Sequence, residues 1–272
     1  YVWNLSVDLA IEMGARIGEI EVMCAPLQEA AKAADAAGTR AFRETWQAMA
    51  DRLCDLARED ESSGRMISAG DKYRRAAIYL ITAERLQPHG AEGRLALYQR
   101  NLEVFARGVA LTGESCQRVE IPYEGRHLAA LYVRARGVSA GQRAPVLVQV
   151  NGLDSTKEMK LCVGLPHWLS QRGVASLVLD QPGSGEALRL HGLTARYDSE
   201  HWATPVVDWL EQHDEVDPRR IGLEGVSLGG YLTALTSCFV EDLDAVIAGI
   251  PVSDLPSLFG HQSPAHVRER AV

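Results

Sequence analysis

The sequence lacks the paired cysteines and histidines that would mark a disulfide framework or a metal site. Its five cysteines are odd in number and widely spaced, and none stands in a C-x-x-C arrangement: they are Cys24, Cys54, Cys116, Cys162 and Cys238. Structural zinc needs closely spaced ligands, and disulfides need an oxidising compartment. The pattern therefore predicts reduced thiols in a cytoplasmic protein, with no metal and no other cofactor.

Long hydrophobic runs and basic clusters are also missing. The longest stretch without a charged residue, 225–240, is too short and too rich in glycine to cross a bilayer, and no signal peptide is visible. The formal charge is −8, and the basic residues are scattered among the acids. This distribution argues against nucleic acid and anionic membranes as partners. The chain begins with Tyr1 rather than Met, so we expect residues to precede it.

The first part of the chain has the pattern of an all-helical domain, which we place at residues 1–112. With 46% hydrophobic and 24% charged residues, the chain as a whole has the composition of a globular protein. Apolar residues recur at helical spacing, as in the stretch from Trp46 to Ala57. Glycine, proline and serine predict the breaks between the helices, which are expected at Gly38-Thr39, Glu61–Gly64 and Gln87–Gly90.

The second part, residues 113–272, has the pattern of an α/β domain. Val119–Tyr123 and Leu128–Val133 read as a hairpin. Apolar runs typical of strands buried on both faces follow, at 145–150, 174–179, 220–224 and 245–250. Helical stretches separate them, at 158–171, 199–213 and 228–239. This alternation predicts a mostly parallel sheet, with the functional site at the carboxyl ends of its strands.

A candidate nucleophile follows the strand at 220–224, in the sequence Gly225-Val-Ser-Leu-Gly229. G-x-S-x-G between a strand and a helix is typical of a nucleophile elbow, in which the sharp turn leaves no room for side chains at the glycines. Ser227 is then expected in a strained conformation, with its hydroxyl above the sheet. The helix N-terminus offers the Leu228 N–H to an oxyanion. The alternative is a glycine-rich turn around an ordinary serine.

Two further loops follow predicted strands. Asn151–Glu158 contains a tight glycine turn, which predicts the Leu153 N–H as the second oxyanion donor. Ser155 and Glu158 in this loop stand at the spacing of a capping box, so we interpret them as helix caps and not as catalytic groups. Asp180 ends the next strand. Its turn is interpreted as a rigid wall of the site, with a catalytic role for Asp180 as the minor alternative.

The order and spacing of four segments resemble one group of α/β-hydrolases; the segments are Asn151–Glu158, Asp180–Glu186, Val216–Pro218 and Gly225–Gly230. This group includes 2,6-dihydroxypseudooxynicotine hydrolase and the fermentation-respiration switch esterase-like proteins, and Tyr73–Tyr79 extends the similarity into the helical part. The resemblance implies an α/β-hydrolase core with an N-terminal helical cap that closes over the site. It also implies hydrolysis, because members cleave a carbon–carbon bond beside an aryl ketone or shorten polyketides.

The rest of the catalytic triad is not evident. α/β-Hydrolases place the acid and then the histidine after the serine, and the sequence ends 45 residues after Ser227. We therefore expect the triad histidine, the usual acid and the last strands to lie beyond Val272, so that 113–272 is an incomplete core ending in the lid region. Asp254 is an alternative acid, and His261 and His266 are interpreted as surface residues.

The sequence thus predicts a serine hydrolase that forms an acyl-enzyme on Ser227. The expected substrate is a small ketone, ester or thioester with aromatic character, in secondary metabolism or aromatic catabolism. Residues 255–259 lack the lid acid of the hydrolase that the chain resembles, which favours ester or thioester cleavage over carbon–carbon cleavage. A general carboxylesterase or peptidase and a non-catalytic binding protein remain the alternatives. The expected partner is this small molecule, and a homodimer stays open.

Overall fold

The chain forms two compact units in the computed structural model, which describes residues 2–27, 36–88, 90–139 and 141–251. The units are Tyr1–Glu114 and Ser115–Val272. The domain boundary placed from the sequence lies after Thr112. That the first unit acts as a cap stays a prediction.

The described residues of the first unit form helices joined by short turns. Its helices are α1 (Val2–Glu12), α2 (Ile17–Cys24), α3 (Ala36–Ser62), α4 (Met66–Arg85) and α5 (Arg94–Thr112). Helix α4 packs against both α3 and α5. Trp46 is fully buried, stacks on Phe42 with ring centroids 4.9 Å apart, and meets Tyr79 edge-on at 5.5 Å. These aromatic contacts form the centre of this unit's core.

One predicted helix break in this unit is wrong. Helix α3 continues through Gly38-Thr39, whereas the chain does break between Ser62 and Met66 and again between Arg85 and Arg94. A single glycine inside a helix costs only about 1 kcal/mol. Burial of Phe42 and Trp46 on the same helix outweighs that cost.

The second unit contains a six-stranded sheet in the order β1-β2-β4-β3-β5-β6. The strands are β1 (Cys116–Tyr123), β2 (Arg126–Val133), β3 (Ala144–Val150), β4 (Ala175–Leu179), β5 (Val216–Val226) and β6 (Ala245–Gly249). Strands β1 and β2 form the predicted antiparallel hairpin, and β2 pairs antiparallel with β4. The remaining pairs, β4 with β3, β3 with β5 and β5 with β6, are parallel. The mostly parallel sheet predicted from the sequence is therefore confirmed.

The helices of this unit are α6 (Lys157–Val163), α7 (Leu165–Ser170), α8 (Gly185–Arg189), α9 (Glu200–Glu211) and α10 (Leu228–Thr236). The single helix predicted at 158–171 is two helices in the structure, because Gly164 between them has a φ of 97°. Helix α9 buries Trp202, Val206 and Leu210 in one hydrophobic core with apolar residues of the sheet. No helix among the described residues combines the length and apolar character that a bilayer crossing requires.

The register of the parallel strands sets the level of the site. Val150 at the end of β3 pairs with Gly225 near the end of β5. The loops that follow these two strands therefore emerge side by side at the same edge of the sheet.

Candidate active site

Ser227 lies in a sharp turn between β5 and α10. Its backbone has φ 60° and ψ −123°, a region that non-glycine residues occupy only when the surrounding structure holds them there. The Ser227 N–H donates to the Gly249 carbonyl at 2.9 Å, and the Tyr231 N–H donates to the Ser227 carbonyl at 3.0 Å. The residue is exposed. This is the backbone conformation of a nucleophile elbow at the N-terminus of a helix.

Close backbone approaches explain the glycines around Ser227. A Cβ at Gly225 would lie 2.2 Å from the Gly229 carbonyl oxygen, and one at Gly229 would lie 2.7 Å from the Val150 carbonyl oxygen. A Cβ at Gly230 would lie 2.7 Å from the Gly249 carbonyl oxygen. Helix α10 can therefore start directly against β3 and β6 only if these positions lack side chains.

The loop after β3, residues 151–156, lies beside Ser227; we call it the oxyanion loop. A Cβ built on Gly152 would be 3.2 Å from the Val226 carbonyl oxygen and 4.0 Å from the Ser227 Cβ. The Gly152 N–H is engaged by the Ser155 Oγ at 2.9 Å. Among the described residues no acceptor is seen for the Leu153 N–H. The Leu228 N–H has no acceptor within α10, because Leu228 is the first residue of that helix. These two amides are the candidates for an oxyanion site.

The predicted capping box at Ser155 and Glu158 is wrong. Helix α6 begins at Lys157, and its N-cap residue, Thr156, makes no side-chain cap. The cap comes instead from a distant strand end, because the Asp180 Oδ1 accepts the Lys157 N–H at 2.8 Å. The Ser155 hydroxyl is directed into the oxyanion loop, where it donates to the Asn151 Oδ1 at 2.9 Å.

The Asp180 carboxylate is fully buried and joins several elements. Besides the Lys157 N–H, it accepts the Asn151 Nδ2 at 2.9 Å, the Lys157 Nζ at 2.9 Å and the Glu186 N–H in the first turn of α8 at 3.0 Å. Gly185 has a φ of 41°, and a Cβ there would lie 1.9 Å from the Asp180 Cγ. The glycine thus allows the carboxylate to reach the start of α8. The interpretation of Asp180 as part of a rigid turn agrees with these contacts, and its minor catalytic alternative gains no support from them.

Lys157 places a buried ammonium among three carboxylates. Its Nζ lies 2.5 Å from the Glu158 Oε1, 2.9 Å from the Asp180 Oδ2 and 2.5 Å from the Glu186 Oε1. The outer oxygen of Glu186 accepts from Arg118 at 2.8 Å. Three clustered carboxylates could ligate a metal ion elsewhere, but here the lysine ammonium supplies the positive charge at their centre.

The pKa values in this cluster follow from burial and charge. Burial lowers the pKa of Lys157, but the charges of Asp180, Glu158 and Glu186 outweigh it and raise that pKa above its usual value. Burial raises the pKa of Glu186, but the positive charges of Lys157 and Arg118 outweigh this effect and lower that pKa to about 2. The pKa of Glu158 is raised by burial. Of the two glutamates in the cluster, Glu158 therefore binds a proton more readily than Glu186.

The remaining predicted site residues lie outside the described part of the chain: Asp254, His261, His266 and the lid residues 255–259. Within the described residues, no histidine or carboxylate is hydrogen-bonded to the Ser227 hydroxyl. The sequence-based reasoning missed Lys157, Asn151 and Gln181. A signal was present, because Lys157 and Asp180 have opposite charges and each follows one of two neighbouring parallel strands.

The chain is similar in sequence to several proteins that are named as hydrolases. A model of the prolyl oligopeptidase family matches residues 164–268. The hydrolase acrC of Aspergillus aculeatus is 35% identical over 210 residues, which cover 70% of the chain and 49% of that protein. The 20-hydroxy-prefusarin hydrolase FUS2 of Gibberella moniliformis is 30% identical over 230 residues, covering 79% and 54% respectively. The chain spans about half the length of the curated relatives it matches.

A solved structure resembles nearly the whole chain. The crystal structure of 2,6-dihydroxy-pseudo-oxynicotine hydrolase superposes with a TM-score of 0.75 and covers 97% of this chain and 71% of its own, at 22% sequence identity. At that identity the likeness concerns the fold. It includes the helical N-terminal part as well as the sheet.

Proposed function

We propose that this protein is a serine hydrolase that forms an acyl-enzyme on Ser227. The proposal builds on the α/β-hydrolase fold predicted from the sequence, with its helical N-terminal region. The observation that carries the proposal is the elbow. Ser227 is exposed at positive φ on the N-terminus of α10, and the oxyanion loop runs beside it. A serine held this way can attack an acyl carbon while helix and loop amides face the carbonyl oxygen.

The oxyanion donors in this proposal are the amides of Leu153 and Leu228. Leu228 directly follows Ser227 at the start of α10, and Leu153 follows Gly152, where a built Cβ would lie 4.0 Å from the Ser227 Cβ. The proton of the Ser227 hydroxyl must pass to a base during attack. We assign this base to a histidine outside the described residues, with Asp254 as one candidate for the acid that orients it.

The proposed substrate is a small organic ketone, ester or thioester with aromatic character. Two of the similar proteins are, by their names, hydrolases of 20-hydroxy-prefusarin and of 2,6-dihydroxy-pseudo-oxynicotine, which are small molecules. We propose that the helical unit serves as a cap over this substrate, and that the protein works in the cytoplasm. A peptidase or general carboxylesterase is the second candidate, favoured by the match of residues 164–268 to the prolyl oligopeptidase family.

Covalent labelling tests the nucleophile without knowledge of the substrate. A fluorophosphonate should modify the full-length protein once, at Ser227, and Ser227→Ala should abolish both labelling and hydrolysis, with a loss of roughly 10⁴-fold or more. The matched control is Ser237→Ala, which removes an exposed hydroxyl just after the same helix and should leave labelling unchanged.

Other outcomes of this experiment contradict the proposal. If the folded wild-type protein is not labelled, the serine is not activated and a binding protein becomes the better description. If Ser227→Ala is labelled as fast as wild type, the nucleophile lies elsewhere. Once labelling is established, turnover of aryl β-diketones, short acyl esters and peptide amides separates the carbon–carbon hydrolase, the esterase and the peptidase.

A further inference from the structure

We propose that Ser155 and Asn151 are positioning residues that hold the oxyanion loop against Ser227, and that Asp180 anchors them to the sheet. Neither side chain is assigned to contact the substrate. The inference rests on the proposed function, because it concerns how the second oxyanion donor, the Leu153 N–H, is placed.

Ser155 closes the loop on itself. Its Oγ accepts the Gly152 N–H and donates to the Asn151 Oδ1, both at 2.9 Å. These two bonds span the turn that carries Leu153, and they occupy the Gly152 N–H. The Leu153 N–H is thereby left as the loop amide available beside Ser227. Without the hydroxyl, the Gly152 N–H would need another acceptor, and the turn would lose its closure.

Asn151 joins this turn to the end of β4. Its side-chain Nδ2 donates to the Leu179 carbonyl at 2.8 Å and to the Asp180 Oδ1 at 2.9 Å. The side chain of Gln181 pairs with the Asn151 backbone, accepting its N–H at 3.1 Å and donating to its carbonyl at 2.9 Å. Asn151 is fully buried. Every polar group of Asn151 is thus engaged, and the start of the loop has one position relative to the sheet.

A buried ion pair between Asp180 and Lys157 supports the contact between Asn151 and the end of β4. The Asp180 carboxylate binds Asn151 and Lys157 on one side and the first turn of α8 on the other. Hydrogen bonds to a charged group in a dry interior are stronger than those between neutral groups. The oxyanion loop is therefore anchored to β4 through a charge that is itself held by Lys157, and not through loop contacts alone.

The chemical consequence concerns the tetrahedral intermediate. When the Ser227 Oγ bonds to the acyl carbon, the hydroxyl proton passes to the base and the carbonyl π electrons move to the oxygen, which becomes the oxyanion. Collapse restores the carbonyl and expels the leaving group, which takes that proton. An amide aimed at the oxyanion accelerates both steps only if it is in place before the charge forms.

Replacement of Ser155 tests this role. Ser155→Ala should lower the second-order rate constant of fluorophosphonate labelling at Ser227, and kcat per titrated active site, by about tenfold or more, with KM little changed. Ser155→Thr keeps the hydroxyl and should recover most of both rates. The matched control is Ser170→Ala, which removes the hydroxyl of a buried residue at the end of α7. This hydroxyl donates to the Arg134 carbonyl at 2.5 Å, before β4 begins and away from Ser227.

A second variant and a second probe guard against an effect on folding alone. Asn151→Ser keeps a hydroxyl near the Ser155 side chain but removes the amide that donates to the Leu179 carbonyl and to the Asp180 carboxylate. It introduces no second charge beside Asp180 and should slow labelling as well. An arylboronic acid forms a tetrahedral adduct with an activated serine. Its affinity should fall by the same factor as the labelling rate in Ser155→Ala, whereas a loss of stability alone would lower the titrated fraction and leave the remaining sites unchanged.

The outcomes distinguish this inference from the proposed function. If the wild-type protein is labelled at Ser227 but Ser155→Ala labels as fast per folded molecule, the positioning role is wrong and the nucleophile proposal stands. An equal loss of kcat in Ser170→Ala also contradicts the positioning role, since that hydroxyl does not touch the loop. If the wild-type protein is not labelled at all, the proposed function itself fails.

Discussion

At Ser227 the chain keeps a non-glycine residue at a φ of 60°, which costs about 1–3 kcal/mol. Two neighbouring glycines make this conformation possible. At Gly225 and Gly229 other backbone atoms come so close that a Cβ at either position would clash with them. The conformation of the serine is therefore a property of its glycines as much as of the serine itself.

Replacement of Gly229 by alanine, which adds a single methyl group, tests whether the elbow requires glycine at this position. In Gly229→Ala the new Cβ would lie 2.7 Å from the Val150 carbonyl oxygen and 3.0 Å from that of Asn151, both backbone atoms. We expect the free energy of unfolding to fall by about 2–3 kcal/mol and labelling of Ser227 to be lost. Urea denaturation and fluorophosphonate labelling measure the two effects.

Gly18→Ala is the matched control. Nothing lies within 4 Å of a Cβ built on Gly18 in helix α2, so alanine should leave the unfolding free energy unchanged or raise it by up to about 1 kcal/mol. An equal destabilisation by both substitutions would show that the close contacts at the elbow are not what demands glycine.

At the scale of elements, the cluster around Lys157 connects pieces that are distant in sequence. Asp180 caps α6 and contacts the first turn of α8, while Arg118 brings β1 to the same carboxylates through Glu186. Removing one member of such a buried group leaves another charge uncompensated. The cluster therefore makes the strand ends and these two helices depend on one another.

The pH dependence of stability should reveal the contribution of Glu186. Its pKa is about 2 in the folded protein, against 4.5 as the ordinary value. A carboxyl group with a lowered pKa stabilises the fold above pH 4.5, and this contribution is lost as the pH falls toward 2. The full shift corresponds to about 3 kcal/mol, of which roughly 1.4 kcal/mol should be lost between pH 6 and pH 3.5.

Urea unfolding at these two pH values provides the measurement. Glu186→Gln should destabilise the protein more at pH 6 than at pH 3.5. At pH 3.5 the wild-type carboxyl group is still ionised in the folded protein but is mostly protonated in the unfolded chain, which stabilises the unfolded state. The exposed Glu241 supplies the control, and Glu241→Gln should show the same small difference from wild type at both values. A constant difference between Glu186→Gln and wild type would contradict the lowered pKa.

Elements with a local signal could be predicted from the sequence. The apolar run of β3 indicates a buried strand by itself. The hairpin is indicated by its turn residues Glu124 and Gly125, which both have positive φ. The split between α6 and α7 was missed, because a glycine at helical spacing is compatible with either a continuous helix or a left-handed turn. The cap of α6 could not be read from its own sequence, because the capping carboxylate belongs to Asp180, on another strand.

The candidate site divides in the same way. The glycines around Ser227 predicted the elbow, because the sharp turn has a short local sequence. The role of Ser155 was misread as a cap, since its spacing to Glu158 fits that motif while its hydroxyl in fact bonds to Asn151 and Gly152. Contacts between neighbouring strand ends depend on the sheet order, which the sequence does not contain in any one segment.

At the scale of the molecule, each of the two units has a core of its own. In the unit Tyr1–Glu114, Trp46 is enclosed by Phe42 and Tyr79 within the helices α3 and α4. The core of the other unit lies between the sheet and helices such as α9. Compact units with separate cores are commonly able to fold alone.

We therefore predict that residues 1–114, produced by themselves, form a helical domain that unfolds cooperatively. Circular dichroism during thermal and urea denaturation measures this. Trp46→Ala in the same fragment should cost about 3–5 kcal/mol, because the indole is fully buried. A helical signal that declines without a cooperative transition would contradict the prediction.

The strand order also has a consequence for how the chain folds. Strand β3 hydrogen-bonds to β4 on one side and to β5 on the other. Yet β3 ends at Val150 and β5 does not begin until Val216. The helices of the first unit make mostly local contacts and can form early, whereas β3 must wait, with an apolar run unpaired on one side, until the rest of the sheet has been synthesised. In a growing chain this interval is the period of greatest exposure to aggregation, and it is the stage at which a chaperone would find its binding segment.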